Sequence, residues 1–450
     1  MGIKDFSQDL SFDLAQELVF SESTRQNAVG SLLGAAGSLA VAGAVGLTGP
    51  IAIPLFLAGG VLVGRKGETV VKGTVKGIGS AIGYTGTIAG YIVDRAAKGI
   101  AGKIEGALDI FKSAEELLAR GTSKLQNGQI EEAIEDFTQA IVANPKFLNA
   151  YLLRGCLYSD QGNHNSAVED FSKIIQLDPN HSHAYRNRAH ILAVQKKYQD
   201  AIEDYSQAIR LEPKDVDTYF RRGRIHLETQ NYEEAISDYT QVLNLKPGFI
   251  EAFYIRGCLF FDLKDYQGAI SDFNEVIKAK PNEIAAYLQR GNAYTALENY
   301  EKAIENFTKV IQIEPQNIES YLNRGLARTA IQDYKGSVAD FTVLIKLEPS
   351  RADAYCNRGC ARFGLRDKRG AINDYNQAIQ LNPDYANAYV KRGYIRIEKG
   401  ETEEALADFQ KAISLFYKAG MLNEVRELQQ KIQKLRELIK NTPWWKKQLF

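Results

Sequence analysis

Net charge is the first thing missing from this chain of 450 residues: 55 lysines and arginines stand against 55 aspartates and glutamates. Without a positive excess there is no general attraction for nucleic acid. With 45% of its residues hydrophobic, the chain is not an acidic disordered one either. Cysteine is scarce, four in all, so no disulfide framework is expected. Histidine is scarce too, five in all, and neither HExxH nor a second Cys/His pair at finger spacing occurs, so no metal site is expected. GxxxxGK[ST] is absent, which leaves phosphate cradling unsupported. No nucleophile and base can be brought together by spacing, so catalysis and a cofactor are not expected.

Glycine and proline are each sparse in one part of the chain. Residues 114–450 hold nine of the 11 prolines, and residues 1–113 hold 20 of the 37 glycines. The boundary falls near Phe111–Ala114. Beyond it Pro145, Pro179, Pro213, Pro247, Pro281, Pro315, Pro349 and Pro383 recur every 34 residues, and a fixed period of this length means stacked structural repeats. In the same phase come a small residue (Gly121, Gly155, Ala189 and onward to Gly393), an alanine (Ala133 to Ala405, replaced once by Ser337) and, four residues later, an aromatic (Phe137 to Phe409).

Nine units fit without a gap: 114–147, 148–181, 182–215, 216–249, 250–283, 284–317, 318–351, 352–385 and 386–419. Each holds two apolar stretches at spacing three and four, the mark of two amphipathic helices. The small residue at position eight and the alanine at position twenty let those helices approach. The aromatic at position twenty-four fills the space beside them, and proline ends the unit. This pattern resembles the tetratricopeptide repeat family. The resemblance implies an all-α fold: a right-handed superhelical solenoid of helix pairs. After the ninth unit Leu422, Val425, Leu428, Ile432, Leu435 and Leu438 predict a capping helix within residues 420–450.

Position seven departs from the family, which more often has leucine there. It is arginine in all nine units, from Arg120 to Arg392, and position twenty-three is aspartate in all but the sixth, which has Asn306. The matching frequency predicts that each arginine bridges to the aspartate of its partner helix, its stem packed on apolar surface. The alternative, an arginine ladder for a polyanion, is disfavoured because the aspartates would cancel its field.

In this family the first helices line a concave face through positions 2, 5, 9, 12 and 13, with a polar contact from position 6. Carried over, the ligand-groove residues are Arg186, His190, Phe220, Arg224, Tyr254, Phe261, Phe363 and Tyr394, with the amides of Asn187, Asn323 and Asn357 set to bond an extended backbone. Basic groups gather in units three and four, at Arg186, His190, Arg221 and Arg224, which predicts a preference for an acidic or C-terminal carboxylate ligand. The Lys-xxx-Asn pair of the chaperone-tail binders is not matched: positions five and nine read Leu118/Thr122, Leu152/Cys156 and Arg186/His190.

Residues 1–113 contain 39 uncharged positions in a row, Gln26 to Gly64, and no histidine or cysteine. Two readings stand open. A glycine-rich helical hairpin turning at Gly49-Pro50 enters a membrane, its GxxxG spacings packed and Arg65, Lys66, Lys72 and Lys76 on the cytoplasmic side; or the same helical hairpin is a soluble self-association module. The acidic start argues against a secretory signal. Trp444-Trp445-Lys446-Lys447 resembles an interfacial anchor.

The expected function is a non-enzymatic protein-protein interaction scaffold, binding peptide or helical protein partners at the cytoplasmic face of a membrane, in a bacterial cell. The alternatives are a soluble cytoplasmic adaptor or assembly factor that self-associates through residues 1–113, and, disfavoured by the charge balance, an RNA-binding repeat protein.

Overall fold

The computed structural model describes residues 61–63, 69–71 and 113–441. From Ser113 onward the described residues hold nineteen helices and no strand. In every repeat the first helix covers positions 1–13 and the second starts at position 17. Unit one shows the pattern, with helices Ala114–Gln126 and Ile130–Ala143.

The first helix is started by a capping box. Ser113 Oγ accepts from the backbone N–H of Glu116 at 3.2 Å, and a Glu116 carboxylate oxygen accepts from the Ser113 N–H at 3.0 Å. Second helices end where proline follows: Asn144, before Pro145, is extended at φ −138°, ψ 97°, as a residue preceding proline prefers. The proline carbonyl then accepts from the next unit's position-four tyrosine. Tyr151, Tyr321 and Tyr389 reach Pro145, Pro315 and Pro383 at 3.4, 3.2 and 3.2 Å.

The turn between the helices needs a left-handed residue at position fifteen. Glycine supplies it in units one, two and nine (Gly128, Gly162, Gly400), whereas Lys196, Gln230, Lys264, Glu298, Gln332 and Arg366 take it at φ 57–65° in the other six. The core lies between the helices of a pair. The position-twenty alanines are fully buried, and the aromatics from Phe137 to Phe409 are at most 2% exposed. Each such ring contributes about 2–3 kcal/mol by leaving water. Ser337 stands in the alanine's place in unit seven, and its hydroxyl meets that of Thr329 at 2.7 Å.

The helices fall into two compact bodies, divided between Ala252 and Phe253. Within each, consecutive helices pack as antiparallel pairs, the arrangement of a helical-repeat solenoid. First helices of successive units also touch: Leu148–Asp160 meets Ser182–Val194 in the earlier body, and Ile318–Ala330 meets Ala352–Gly364 in the later one. In unit nine Tyr417 stands where proline ends the others, and the second helix runs on to Lys418. The expected last helix spans Leu422–Asn441 and buries Val425, Leu428 and Ile432. Leu422 is exposed, and the side chains of Leu435 and Leu438 lie outside the described residues.

Of residues 1–112 only six are described, and they are not helical. Val61–Val63 pairs antiparallel with Thr69–Val71, Leu62 opposite Val70. Four valines and a threonine among six residues favour the pleated backbone over the helix expected at the end of the apolar run. The rest of residues 1–112, and the tryptophan tail, lie outside the described residues.

Candidate partner-binding face

The expected arginine–aspartate pairing is present in each body. Arg154 donates from Nε and Nη2 to the two carboxylate oxygens of Asp170 at 2.9 and 2.7 Å. Arg256 does the same to Asp272 at 2.8 and 2.7 Å, and Arg392 to Asp408 at 2.9 and 2.6 Å. The aspartates are buried. Such bidentate, charge-assisted pairs are the strong kind of ion pair. In unit six the amide of Asn306 takes the carboxylate's place and accepts a single bond from Arg290 Nε at 2.8 Å.

A third bond was not expected from the sequence. Nη1 of the same arginines reaches back to position twenty-five of the preceding unit: Arg154 to Thr138 at 3.0 Å, Arg222 to Ser206 at 2.9 Å, Arg392 to Asn376 at 2.6 Å. Thr138 and Ser206 donate their own hydrogens to a carbonyl one turn earlier, at 2.8 and 2.6 Å, which leaves a lone pair for the arginine. In units two to nine the guanidinium also lies over a position-four ring, as Arg188 does over Tyr185 at 5.9 Å and Arg290 over Tyr287 at 5.4 Å. The side chain that sets a unit's inner angle therefore also sets its angle to the unit before.

On this frame the first helices present their face. A recurring contact joins position six of one unit to position nine of the unit before. Asn187 Nδ2 donates to Cys156 Sγ at 3.7 Å, and Asn323 Nδ2 to Asn292 Oδ1 at 3.1 Å. Arg221 Nη1 lies 3.4 Å from His190 Nδ1. The sequence spacing that marks this contact, 31 residues, was legible in principle, but the residue types differ at every pair.

The expected groove residues divide by burial. Arg224, Asn357, Phe220 and Phe363 are half-buried on the face. Arg224 has no ion pair and Asn357 no side-chain hydrogen bond among the described residues. Phe220 stands edge-on to Tyr239 and Phe249, with centroids 5.6 and 5.0 Å away. Tyr254, Phe261 and Tyr394 are buried instead, against Phe273, Tyr266 and Phe409. Asn323 is 4% exposed, and its Oδ1 is buried with no partner among the described residues. Asn187 and Asn323 thus direct their amide N–H groups to the neighbouring unit.

The basic cluster is less basic than its composition. Arg186 pairs with Asp215 at 2.7 Å and Arg221 with Asp217 at 2.6 Å. His190 is basic by residue type, but burial, and then the Arg221 charge, lower it to about 4, so it is neutral near pH 7. Arg224 keeps its charge without a partner carboxylate.

Family models for the TPR or tetratricopeptide repeat match residues 117–147, 148–181, 183–215, 216–249, 250–283, 291–331, 352–385 and 374–407. No curated protein matches the chain. Among solved structures, MamA from Desulfovibrio magneticus RS-1 is 26% identical, over 38% of this chain and 96% of that one, with a TM-score of 0.35. A tetratricopeptide repeat protein from Parabacteroides merdae ATCC 43184 is 24% identical over 55% and 98% of the two chains, TM-score 0.40. YrrB, described as a TPR protein with an unusual peptide-binding site, is 19% identical over 41% and 95%, TM-score 0.38.

Proposed function

The chain belongs to the tetratricopeptide repeat family, and on that premise we propose that it is a protein-interaction scaffold that holds an extended peptide or a helix along the first-helix face of its repeats. One observation carries this reading: the frame repeats and the face does not. Positions seven, eight, twenty and twenty-four are nearly constant through nine units. Position nine changes from cysteine to histidine, arginine, asparagine, leucine and tyrosine. Regular stacking needs the constant set; recognition of an irregular partner needs the varied one.

The residues assigned to contact are Arg224, Asn357, Phe220 and Phe363, with Tyr254, Phe261 and Tyr394 shaping the surface beneath. Because Arg186 and Arg221 are neutralised internally, the preference for an acidic group narrows to the surroundings of Arg224. Fluorescence anisotropy with labelled peptides, acidic and neutral, tests this. Arg224→Glu is expected to weaken acidic peptides by about tenfold or more, with Lys278→Glu on a second helix neutral. No binding of any peptide, or equal loss from Lys278→Glu, sinks the reading.

The same proposal places the scaffold at a membrane through residues 26–64, on the strength of their 39 uncharged positions. Among the described residues no helix is long and apolar enough to cross a membrane. Carbonate-washed pelleting of the full chain against residues 114–450 decides it. Pelleting of the full chain alone supports the tether; solubility of both assigns residues 1–113 to self-association.

A further inference from the structure

Three of the four cysteines, Cys156, Cys258 and Cys360, share position nine of their units. Position six of the following unit is Asn187 for the first, Gln289 for the second and Lys391 for the third. The same repeat register thus sets a neutral amide against two of the thiols and an ammonium against the last.

More converges on Cys360 than a lysine. Tyr375 donates its O–H to Cys360 Sγ at 3.6 Å, from a buried ring of the same unit. Cys356 lies one helical turn earlier on the same face of Ala352–Gly364, and the Lys391 ammonium, from position six of the next unit, acts on the Cys360 sulfur. The cation and the Tyr375 hydroxyl both favour the negative charge on Cys360, and Cys356 keeps its hydrogen. Cys360 is half-buried, whereas Cys356 is buried.

We propose that Cys360, with Lys391 and Tyr375 as its supporting groups, is a nucleophilic modification site that hydrogen peroxide oxidises to a sulfenic acid. The thiolate attacks one peroxide oxygen; an S–O bond forms, the O–O bond breaks, and sulfur gives up two electrons. The departing hydroxide takes a proton and leaves as water, and Lys391 is the acid beside it. The reaction stops there. Cβ atoms four apart on a helix are about 5–6 Å apart, and a disulfide needs roughly 3.5–4.5 Å, so Cys356 cannot close onto Cys360 without unwinding the helix.

The electrostatics agree with the geometry. Hydrogen bonding from Cys356, opposed by burial and aided by the charge of Lys391 and the Tyr375 hydroxyl, holds the Cys360 thiol well below the usual range. Burial works against the Lys391 ammonium, but the charge of the Cys360 sulfur beside it holds it in its charged form. Burial pushes Cys156 and Cys258 the other way, up to about 12. The inference is independent of partner binding on the first-helix face and stands or fails without it.

Iodoacetamide labelling of the intact full-length chain, followed residue by residue with peptide mass spectrometry, is the test. Cys360 is expected to react at about pH 6–7 with little pH dependence, while the other three cysteines lag by about tenfold or more. Lys391→Met is expected to slow Cys360 by about tenfold at neutral pH and to return an ordinary thiol pH profile. Lys391→Arg, which keeps the cation, retains most of the rate, and this separates the charge from any loss of packing. After peroxide, dimedone is expected to mark Cys360 and nothing in Cys360→Ser. Equal labelling of Cys360, Cys156 and Cys258, or an unchanged rate in a folded Lys391→Met protein, overturns the assignment. A Cys356–Cys360 disulfide in place of the dimedone adduct overturns the sulfenic end point.

Discussion

Arg324 holds Asp340 with two nitrogens, Nε at 3.0 Å and Nη2 at 2.6 Å, and reaches Thr308 of the preceding unit with its third at 3.0 Å. Arg328 adds a third bond to Asp340 at 2.8 Å. A carboxylate so enclosed leaves the arginine one orientation, and the same guanidinium fixes the interface with the preceding unit. The regularity of the stack follows from repeating this node, with hydrophobic burial supplying the larger share of the stability.

The node makes single and double substitutions differ. Burial pushes the Asp272 carboxyl up and Arg256 draws it back, so Arg256→Met alone strands a charge on a residue 3% exposed. A loss of about 3–5 kcal/mol is expected, and Arg256→Met/Asp272→Leu should recover most of it. Urea unfolding of the four members of the cycle measures this; additive losses would refute the coupling.

Position fifteen offers changes that act through backbone conformation. Gln332 sits at φ 61°, where a side chain costs about 1–2 kcal/mol. Gln332→Gly is expected to gain roughly 0.5–1 kcal/mol after the added freedom of the unfolded chain is subtracted. Gly162→Ala, at φ +75° with nothing within 4 Å of an added Cβ, should lose about 1 kcal/mol from backbone conformation alone. Thermal midpoints of the two variants should move in opposite directions.

Position eight tests close packing. A Cβ on Gly291 would lie 2.7 Å from a ring carbon of Phe307, so Gly291→Ala is expected to cost about 1–3 kcal/mol. Unit three already houses Ala189 in this place, opposite Tyr205. The loss should therefore fall if the ring can shift, and a crystal structure of the variant would show Phe307 displaced.

Acid should weaken the third and fourth units first. His190 faces Arg221, Arg224, Asp217 and His164. Its folded value, about 4, lies below the free value of roughly 6.5. The unfolded chain therefore binds the extra proton first, and stability, complete above pH 6.5, falls toward pH 4. His183 and His226 are lowered in the same direction, with burial the main cause. His190→Gln is expected to remove about 1 kcal/mol of the loss between pH 7.5 and 4.5. Urea midpoints at the two pH values check it, and an unchanged pH dependence in the variant would refute it.

Much of this was legible before any coordinates. Eight prolines, eight alanines and nine aromatics in one phase mark out the helix pairs, and arginine and aspartate sixteen residues apart mark their own bridge. The position-twenty-five acceptor was hidden because Thr138, Ser206 and Asn376 share a lone pair and not a residue type. Arg186 and Asp215, 29 residues apart across a turn, could not be matched by any constant spacing. Tyr254 and Tyr394 occupy face positions by register, yet their rings turn inward against Phe273 and Phe409.

The amino-acid sequence by itself determined which elements form and how they pair, because a 34-residue rhythm of small, aromatic and breaking residues admits one local solution and repeats it. Only the tertiary structure decided what the first-helix face is: which arginines are neutralised by a carboxylate, which aromatics are surface, and which amides turn to the neighbouring unit. Those properties depend on side chains from neighbouring units, where distance in space sets the interaction and position within the repeat does not reveal it.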